Sequence, residues 1–562
     1  MMALLAALLL QASALTVAAV PPGEVFGAGA RVPFAEVEAE NATTDGELIE
    51  TGRVAGPLSA EASGRRAVRL AGPNDFIEIT LERAANAFTI RYAIPDSDDG
   101  AGRNAALTLS VGEHRVGHAA LTSRYSWLYG VYPFTNRPQD GLGRHVYDHA
   151  RVLLPRTLPA GTRIRLRAPE ASKANWVVVD LVDYERAPVP QKRPARALSV
   201  VDFGADPTGK RSSVGPFEAA IKEARQQQRP LWAPAGTFLI DRHLEVGGVE
   251  IAGAGLWWTI LRGDGIGLYS GPAQRISLRG FSILGEVVER NDQAALAAIG
   301  GSFGEDSIVK DLWIQHTKVG VWLDGPGRGL VLKRLRIFDQ TADGVNLAGS
   351  VTRAKIEDVF VRNSGDDGVA LWSRGGADRD ILILRATVIA PTLANGIAIY
   401  GGRDIEVRDS LVADTALEGG GYHLGARFGA SAFEGQILLS GNVAVRTGSM
   451  DREQKLRIGA LWLYALDQPI RARILIEHTR LLDSAFEAVQ VFGRSIRGVR
   501  VDDLVIQGAG GGALRLQAPG GAYFSRVVVK GARQPGTRDC GTGFQLRIEG
   551  YASWSRPRSC RE

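Results

Sequence analysis

Sulfur is scarce in this chain, whose 562 residues include two cysteines and three methionines. Cys540 and Cys560 stand 20 residues apart near the C-terminus with no His or Asn partner indicated nearby, which excludes a cysteine nucleophile. In an exported protein the pair is expected to bridge and tie the tail to the last structural unit. The chain-entropy model makes such a loop worth roughly 3 kcal/mol. Charge of one sign is lacking too: 66 basic and 61 acidic residues leave a net +5, without any run of Lys or Arg, so nucleic acid is not an expected partner. Beyond residue 20 no apolar stretch is long enough to span a bilayer. The Leu-x-x-Leu-x-Leu ladder with its Asn is also missing, which removes the leucine-rich repeat from consideration.

Residues 3–20 are the apolar exception, with small residues at Ala12-Ser13-Ala14 and Val17-Ala18-Ala19 and then Pro21-Pro22. They read as a secretory signal, residues 1–20, cleaved near Ala19, although no Lys or Arg precedes the apolar core. A membrane anchor or a mistaken start site would give the same pattern. The mature protein is expected to be extracellular or periplasmic, monomeric and without stable membrane association.

Glycine is plentiful, at 68 residues, and much of it is periodic. A Gly-apolar-x-apolar unit recurs at Gly320, Gly344, Gly368, Gly396 and Gly421, in steps of 24, 24, 28 and 25 residues. Looser copies begin at Ala460, Ala488, Ala513 and Gly543, and a second apolar set (Ile308, Val331, Ile356, Ile381, Ile405) runs in step. Each copy holds at least two short strands that cannot bury an apolar face alone, so copies must stack. The expected fold is all-β, a right-handed parallel β-helix over residues 198–562. Near its start, Phe217, Ala220, Ile221 and Ala224 lie on one face of an amphipathic stretch expected to cap the open end of the stack.

Ahead of the β-helix, residues 32–186 alternate apolar and polar positions in short runs such as Phe76-Ile77-Glu78-Ile79 and Arg163-Ile164-Arg165-Leu166, which predicts a β-sandwich of jelly-roll type. Residues 187–197, rich in proline, read as a linker. The segments Val37-Glu38-Ala39-Glu40 and Val179-Asp180-Leu181 resemble the carbohydrate-binding modules of families 6 and 35. That resemblance implies a structural calcium at Glu38, Glu40 and Asp180, a hard cation with oxygen ligands; solvated edge charges are the alternative. The aromatic run from Tyr125 to Phe134 either stacks on sugars or packs the module on the β-helix.

Chemistry concentrates in Ala342-Asp343-Gly344-Val345-Asn346-Leu347 and Asp366-Asp367-Gly368-Val369-Ala370-Leu371. Aligning the glycines puts Asp343 and Asp367 at the same place in neighbouring copies, about 4.8 Å apart in strand spacing, with Asp366 beside them. Three carboxylates this close cannot all ionise freely; at least one keeps a proton and the others serve as bases. That is the equipment of glycoside hydrolysis. No cofactor is expected for catalysis. The stretches Asn363-Ser364-Gly365-Asp366-Asp367-Gly368 and Ala252-Gly253-Ala254-Gly255-Leu256-Trp257-Trp258 resemble family 87 of the glycoside hydrolases, the α-1,3-glucanases and mycodextranases. The resemblance implies an inverting hydrolase of α-glucan with three catalytic aspartates, Asp366 as general acid and Asp343 and Asp367 positioning water.

Positions two after each glycine form a ladder: Trp322, Asn346, Ala370, Ala398, His423, Trp462, Gln490, Arg515. Of these and the positions four after, Asn346, Trp372, Tyr400, His423 and Trp462 are the candidate contacts to a polysaccharide. A polygalacturonase-like hydrolase of an acidic glycan fits the same trio, but the Gly-His-Gly usual there is replaced by Asn395-Gly396-Ile397-Ala398. A noncatalytic glycan-binding β-helix is the remaining reading, opposed by the intact trio.

Overall fold

The computed structural model describes residues 26–52, 56–72, 74–168, 174–451, 455–549 and 560, so the expected signal peptide lies outside the described residues. The N-terminal unit is an antiparallel sandwich. One sheet runs Asp148–Leu158, Ala85–Ala93, Val177–Glu185, Arg66–Leu70, Glu47–Glu50, with Ala35–Glu38 also paired to Val177–Glu185; the other runs Thr43–Thr44, Phe76–Thr80, Arg163–Arg167, Asn104–Val111, His114–Thr122. Their inner faces enclose Val68, Ile77, Ile79, Phe88, Ile90, Leu107, Ile164 and Val179.

From Leu198 onward the chain is a parallel β-solenoid of two long sheets, one of 23 strands and one of 12. The repeat alignment holds residue for residue in the 12-stranded sheet, where Trp322 pairs with Asn346, Asn346 with Ala370, Ala370 with Ala398, Ala398 with His423, His423 with Trp462, Trp462 with Gln490 and Gln490 with Arg515. The repeated glycines answer a packing need. A Cβ on Gly344 would lie 2.5 Å from the Gly368 carbonyl oxygen and 2.7 Å from Val361 Cγ1, and one on Gly368 would lie 2.2 Å from Val388 Cγ1. The helix Val214–Gln227 buries Val214, Phe217, Ala220, Ile221 and Ala224 in the same core as Leu231, Phe238 and Leu244, which is the expected cap at the start of the stack. At the other end Cys540 and Cys560 are bonded, with Cα atoms 4.8 Å apart.

The two units share a buried, highly charged interface. Strand Val177–Glu185 carries a register shift between Val179 and Leu181. Beyond it Val182 and Tyr184 point into the sandwich core, whereas Asp180, Asp183 and Glu185 meet cations that include residues of the solenoid. Arg362 is fully buried between Asp183, 2.9 Å away, and Glu36; Arg336 pairs with Glu185, and Arg91 bridges Asp180 at 2.6 Å and Asn363 at 2.7 Å. Trp257, Trp313, Phe338 and Phe360 pack around these ion pairs, with Arg151 over both tryptophan rings. Beside them Asp148, His316 and Asp339 come together, but their oxygens are already occupied. Tyr92 and His316 donate to Asp148, while His149, Gln315 and Asn363 contact Asp339. This cluster is an inter-unit hydrogen-bond network. Asp339 is held well below the usual carboxylate range because His149 and His316 outweigh its burial.

Candidate active site

Asp343 and Asp367 precede glycines whose backbone N–H groups continue the stack: Gly344 donates to the Asp367 carbonyl at 3.0 Å and Gly368 to the Asn395 carbonyl at 2.9 Å. Asp343, Asp367 and Asn395 are thus one column on three successive rungs, with Asp366 projecting beside it. Oxygens of the three aspartates lie within 4.8 Å of one another. Each is held differently. Asp343 is buried and accepts one hydrogen bond, from Asn346 Nδ2 at 3.1 Å. Asp367 is buried and accepts three, from the backbone and side-chain nitrogens of Asn395, both at 2.9 Å, and from the Tyr400 hydroxyl at 2.8 Å. Asp366 is the most exposed; its Oδ1 accepts the Asp367 N–H and its Oδ2 lies 2.6 Å from Arg290.

Burial, and then repulsion from Asp366 and Asp367, pushes the Asp343 carboxyl well above its usual range. Burial first and Asp366 second raise Asp367 to about 7, against its hydrogen bonds from Tyr400 and Asn395. Burial and mutual repulsion thus shift the cluster toward proton retention, the direction expected of carboxylates this close.

The trio lies in a cleft of about 1070 Å³. Asn346, Trp372, Tyr400 and Trp462 all line it, as expected of the ladder. Two of them serve the carboxylates directly: Asn346 supports Asp343, and Tyr400 supports Asp367. Trp372 donates through Nε1 to the Phe428 carbonyl and carries the Arg374 guanidinium on its ring. His423 is placed otherwise. It is fully buried behind Tyr400 and Trp462, donates through Nδ1 to the Trp462 carbonyl, and is kept neutral by burial and by Arg427. Its position behind these rings braces the cleft wall.

A family model described as alpha-1,3-glucanase catalytic domain D1 matches residues 31–187, and another, alpha-1,3-glucanase catalytic domain D2, matches residues 210–518, more than half the chain. The chain belongs to this family. The catalytic unit of a thermostable family 87 α-1,3-glucanase from Streptomyces thermodiastaticus strain HF3-3 is 35% identical, with a TM-score of 0.86 over 94% of this chain and 99% of that one. The Agl-KA catalytic domain is 24% identical, with a TM-score of 0.87 over 93% of this chain and 98% of its own. A family 87 α-1,3-glucanase catalytic domain solved with nigerose is also 24% identical, with a TM-score of 0.82 over 94% of this chain and 100% of its own. No curated protein sequence matches the chain significantly.

In this α-1,3-glucanase family member the N-terminal unit reaches the catalytic cleft. Leu128 and Phe134 pack with Leu393 and Leu417 of the solenoid, and Tyr132 and Phe134 line the cavity. Of the two fates open to the aromatic run Tyr125 to Phe134, packing of the module on the β-helix is the one seen at Leu128 and Phe134. Sequence reasoning also passes over Asn395, Arg290 and Lys318. Asn395 is within its reach, since it stands one residue before Gly396 and so in the Asp343–Asp367 column.

The calcium expected at Glu38, Glu40 and Asp180 meets a mixed arrangement. Asp180 has both oxygens engaged, one by Arg91 and one by the Ser63 N–H, and the three carboxylates are not gathered as tightly as the catalytic trio. Glu38 Oε2 and Glu40 Oε2 are buried without a hydrogen-bond partner among the described residues. Burial foremost raises both groups, Glu40 to about 7 and Glu38 well above its usual range, the latter with help from Asp180 and Glu36.

Proposed function

We propose that the protein is a secreted, monomeric hydrolase that cleaves α-1,3-glucosidic bonds of a glucan with inversion, using Asp343, Asp366 and Asp367. The observation that carries this reading is an aspartate trio gathered on adjacent rungs of a cleft in a chain of the α-1,3-glucanase family. In the reactive state the proton of the cluster stands on Asp366, the most exposed of the three, having passed to it from its raised neighbours, and Asp366 delivers it to the glycosidic oxygen. Asp343 and Asp367, ionised in that state, orient a water on the opposite side and take its proton as its oxygen bonds to the anomeric carbon. The bond from that carbon to the leaving oxygen breaks, so one water is consumed and no other reactant is needed. Trp372 offers its half-buried ring to sugars along the cleft, and Arg374 and Arg427 offer donors to hydroxyls.

Inversion enters through family membership rather than spacing. Carboxyl groups in inverting enzymes stand roughly 6.5–9.5 Å apart and in retaining enzymes roughly 5–5.5 Å, and nearest oxygens within 4.8 Å are compatible with either. On α-1,3-glucan, NMR of the first product is expected to show the β-anomer at the new reducing end. An initial α-anomer would reject inversion, and turnover of a uronan without cleavage of α-1,3-glucan would move the protein to the pectinase class.

The unpartnered Glu38 and Glu40 oxygens support a structural cation in the N-terminal unit, where calcium would neutralise two buried carboxyls and supply no step of the reaction. Chelation is expected to lower the Tm of the wild type and leave an E38Q/E40Q double variant unchanged. A wild type indifferent to chelator and to added calcium would mean that protons hold these carboxyls neutral.

A further inference from the structure

Among the described residues the trio touches one cation, and that cation belongs to a loop rather than to a rung. Arg290 stands in the segment between strands Ser277–Leu284 and Ala297–Gly301, with its side chain 11% exposed in the cleft wall. Its Nη1 is 2.6 Å from Asp366 Oδ2 and its Nε is 2.8 Å from Asp292 Oδ1. The other Asp292 oxygen accepts the hydroxyl of Tyr132, whose ring lies 5.1 Å from the Arg290 guanidinium carbon. Tyr132 comes from the N-terminal unit, so a continuous chain of contacts, Tyr132, Asp292, Arg290, Asp366, crosses the boundary between units and ends on a member of the trio.

The loop is fixed from both sides. Asn136 N–H donates to Glu289 at 2.7 Å and Arg124 pairs with Glu286 at 3.8 Å, both from the N-terminal unit. From the solenoid, Lys318 Nζ donates to the carbonyls of Asn291, at 3.0 Å, and Ala294. Such bracing is what a guanidinium needs to orient a carboxylate, since the planar fork makes directional bonds that a mobile side chain would lose.

We propose that Arg290 is a positioning residue for Asp366, held in place across the boundary between units by Tyr132 through Asp292. The inference rests on the trio being catalytic. Arg290 fixes the direction of the Asp366 carboxylate at the point where the glycosidic oxygen must arrive, and its charge opposes proton retention by the trio. The charged or titratable groups around it are Asp366, Asp343, Asp292, Lys318 and Tyr132. Asp343 is lowered by Arg290 in part, against its larger upward displacement by burial, so removing the arginine shifts the trio's alkaline limb to higher pH.

The test compares kcat, KM and pH profiles on α-1,3-glucan for wild type, R290A, R290K, Y132F and the R290A/Y132F double variant, with D366N as the reference for lost chemistry. R290A is expected to lower kcat about 10²-fold, as a misplaced reacting group does, with KM changed less than about threefold. Its alkaline limb should move up. R290K should restore that limb, because it keeps the charge, but not the rate. Y132F should lower kcat about threefold to tenfold alone and add nothing to R290A, since residues acting through one another are not additive. A rate within twofold of wild type in R290A, a loss in KM alone, or independent multiplication of the two effects would overturn the proposal. A readout that does not need activity separates this from failure of the functional reading. In crystal structures of R290A and Y132F the Asp366 carboxylate is expected to leave its wild-type direction, and an unmoved Asp366 in both would overturn the positioning role even if another glycan proved to be the substrate.

Discussion

Replacing any one of Asp343, Asp366 or Asp367 by Asn is expected to lower kcat at least about 10²-fold, the scale of a lost general acid or base, with the fold intact. Because Asp343 is buried and its carboxyl is pushed up, the native state holds a proton there more tightly than the unfolded chain does. Stability from such a group is greatest below the unfolded carboxyl pKa and declines as pH rises through the folded one. The amide that D343N introduces does not titrate, and its oxygen can still accept from Asn346 Nδ2, so this variant should melt at the same temperature as wild type or higher at pH 7. Loss of rate with undiminished Tm separates chemistry from folding and matches the general conflict between an active site's charges and stability. The wild-type rate should also fall on the alkaline side, at or above the value of about 7 to which Asp367 is raised, as the trio gives up its last proton. Any two of the three variants keeping near-wild-type rates would remove the trio from the mechanism.

The trio, the repeat register and the capping helix are legible in the sequence because each follows from a local periodicity. One small residue per rung, glycine from Gly320 to Gly421 and alanine at Ala460, Ala488 and Ala513, aligns the residues around it, and glycine is required where Gly344 approaches the Gly368 carbonyl and Val361. That alignment carries the whole ladder from Trp322 to Arg515 into the right register. His423 departs from its expected place in the cleft for a reason the same ladder contains. Its neighbours in the column are small at Ala398 and large at Trp462, so the ring sits under larger rings instead of facing the cleft. Arg290 and Tyr132 lie in loops outside the period, and their partnership is made by docking of the two units. That docking left its own trace in sequence. Trp313, Arg336 and Phe360 pair as one outer column of the 23-stranded sheet, an apolar and cationic strip on a face that a free solenoid would present to water, and Asp183 and Glu185 are the acidic answer on the sandwich.

The largest stability effect is expected at that interface, from Arg362→Ala. Its guanidinium is fully buried and stands between Glu36 and Asp183, so truncation leaves two carboxyls without their cation in a site that water does not reach. Breaking a buried pair in this way typically costs about 3–5 kcal/mol. Even with Arg362 in place, burial raises Glu36 to about 8 and raises Asp183, the arginine only partly opposing it. Both groups will therefore bind protons more readily in the folded variant than in the unfolded chain. By linkage the stability of R362A must fall as pH rises from about 5 through about 8, a steeper decline than in wild type, because over that range the native state holds protons that the unfolded chain has already released. Denaturant unfolding at pH 5 and pH 8 measures it directly. Replacing all three groups by neutral residues of similar size, E36Q/D183N/R362M, is expected to recover most of the loss, since a buried ion pair contributes little net stability over an uncharged equivalent. A penalty that is small and independent of pH would mean that water enters the interface and that the two units are not held by this cluster. Activity should fall with docking, because Tyr132 and Phe134 reach the cleft only from a seated N-terminal unit, so R362A is expected to lose kcat in the same pH range in which it loses stability.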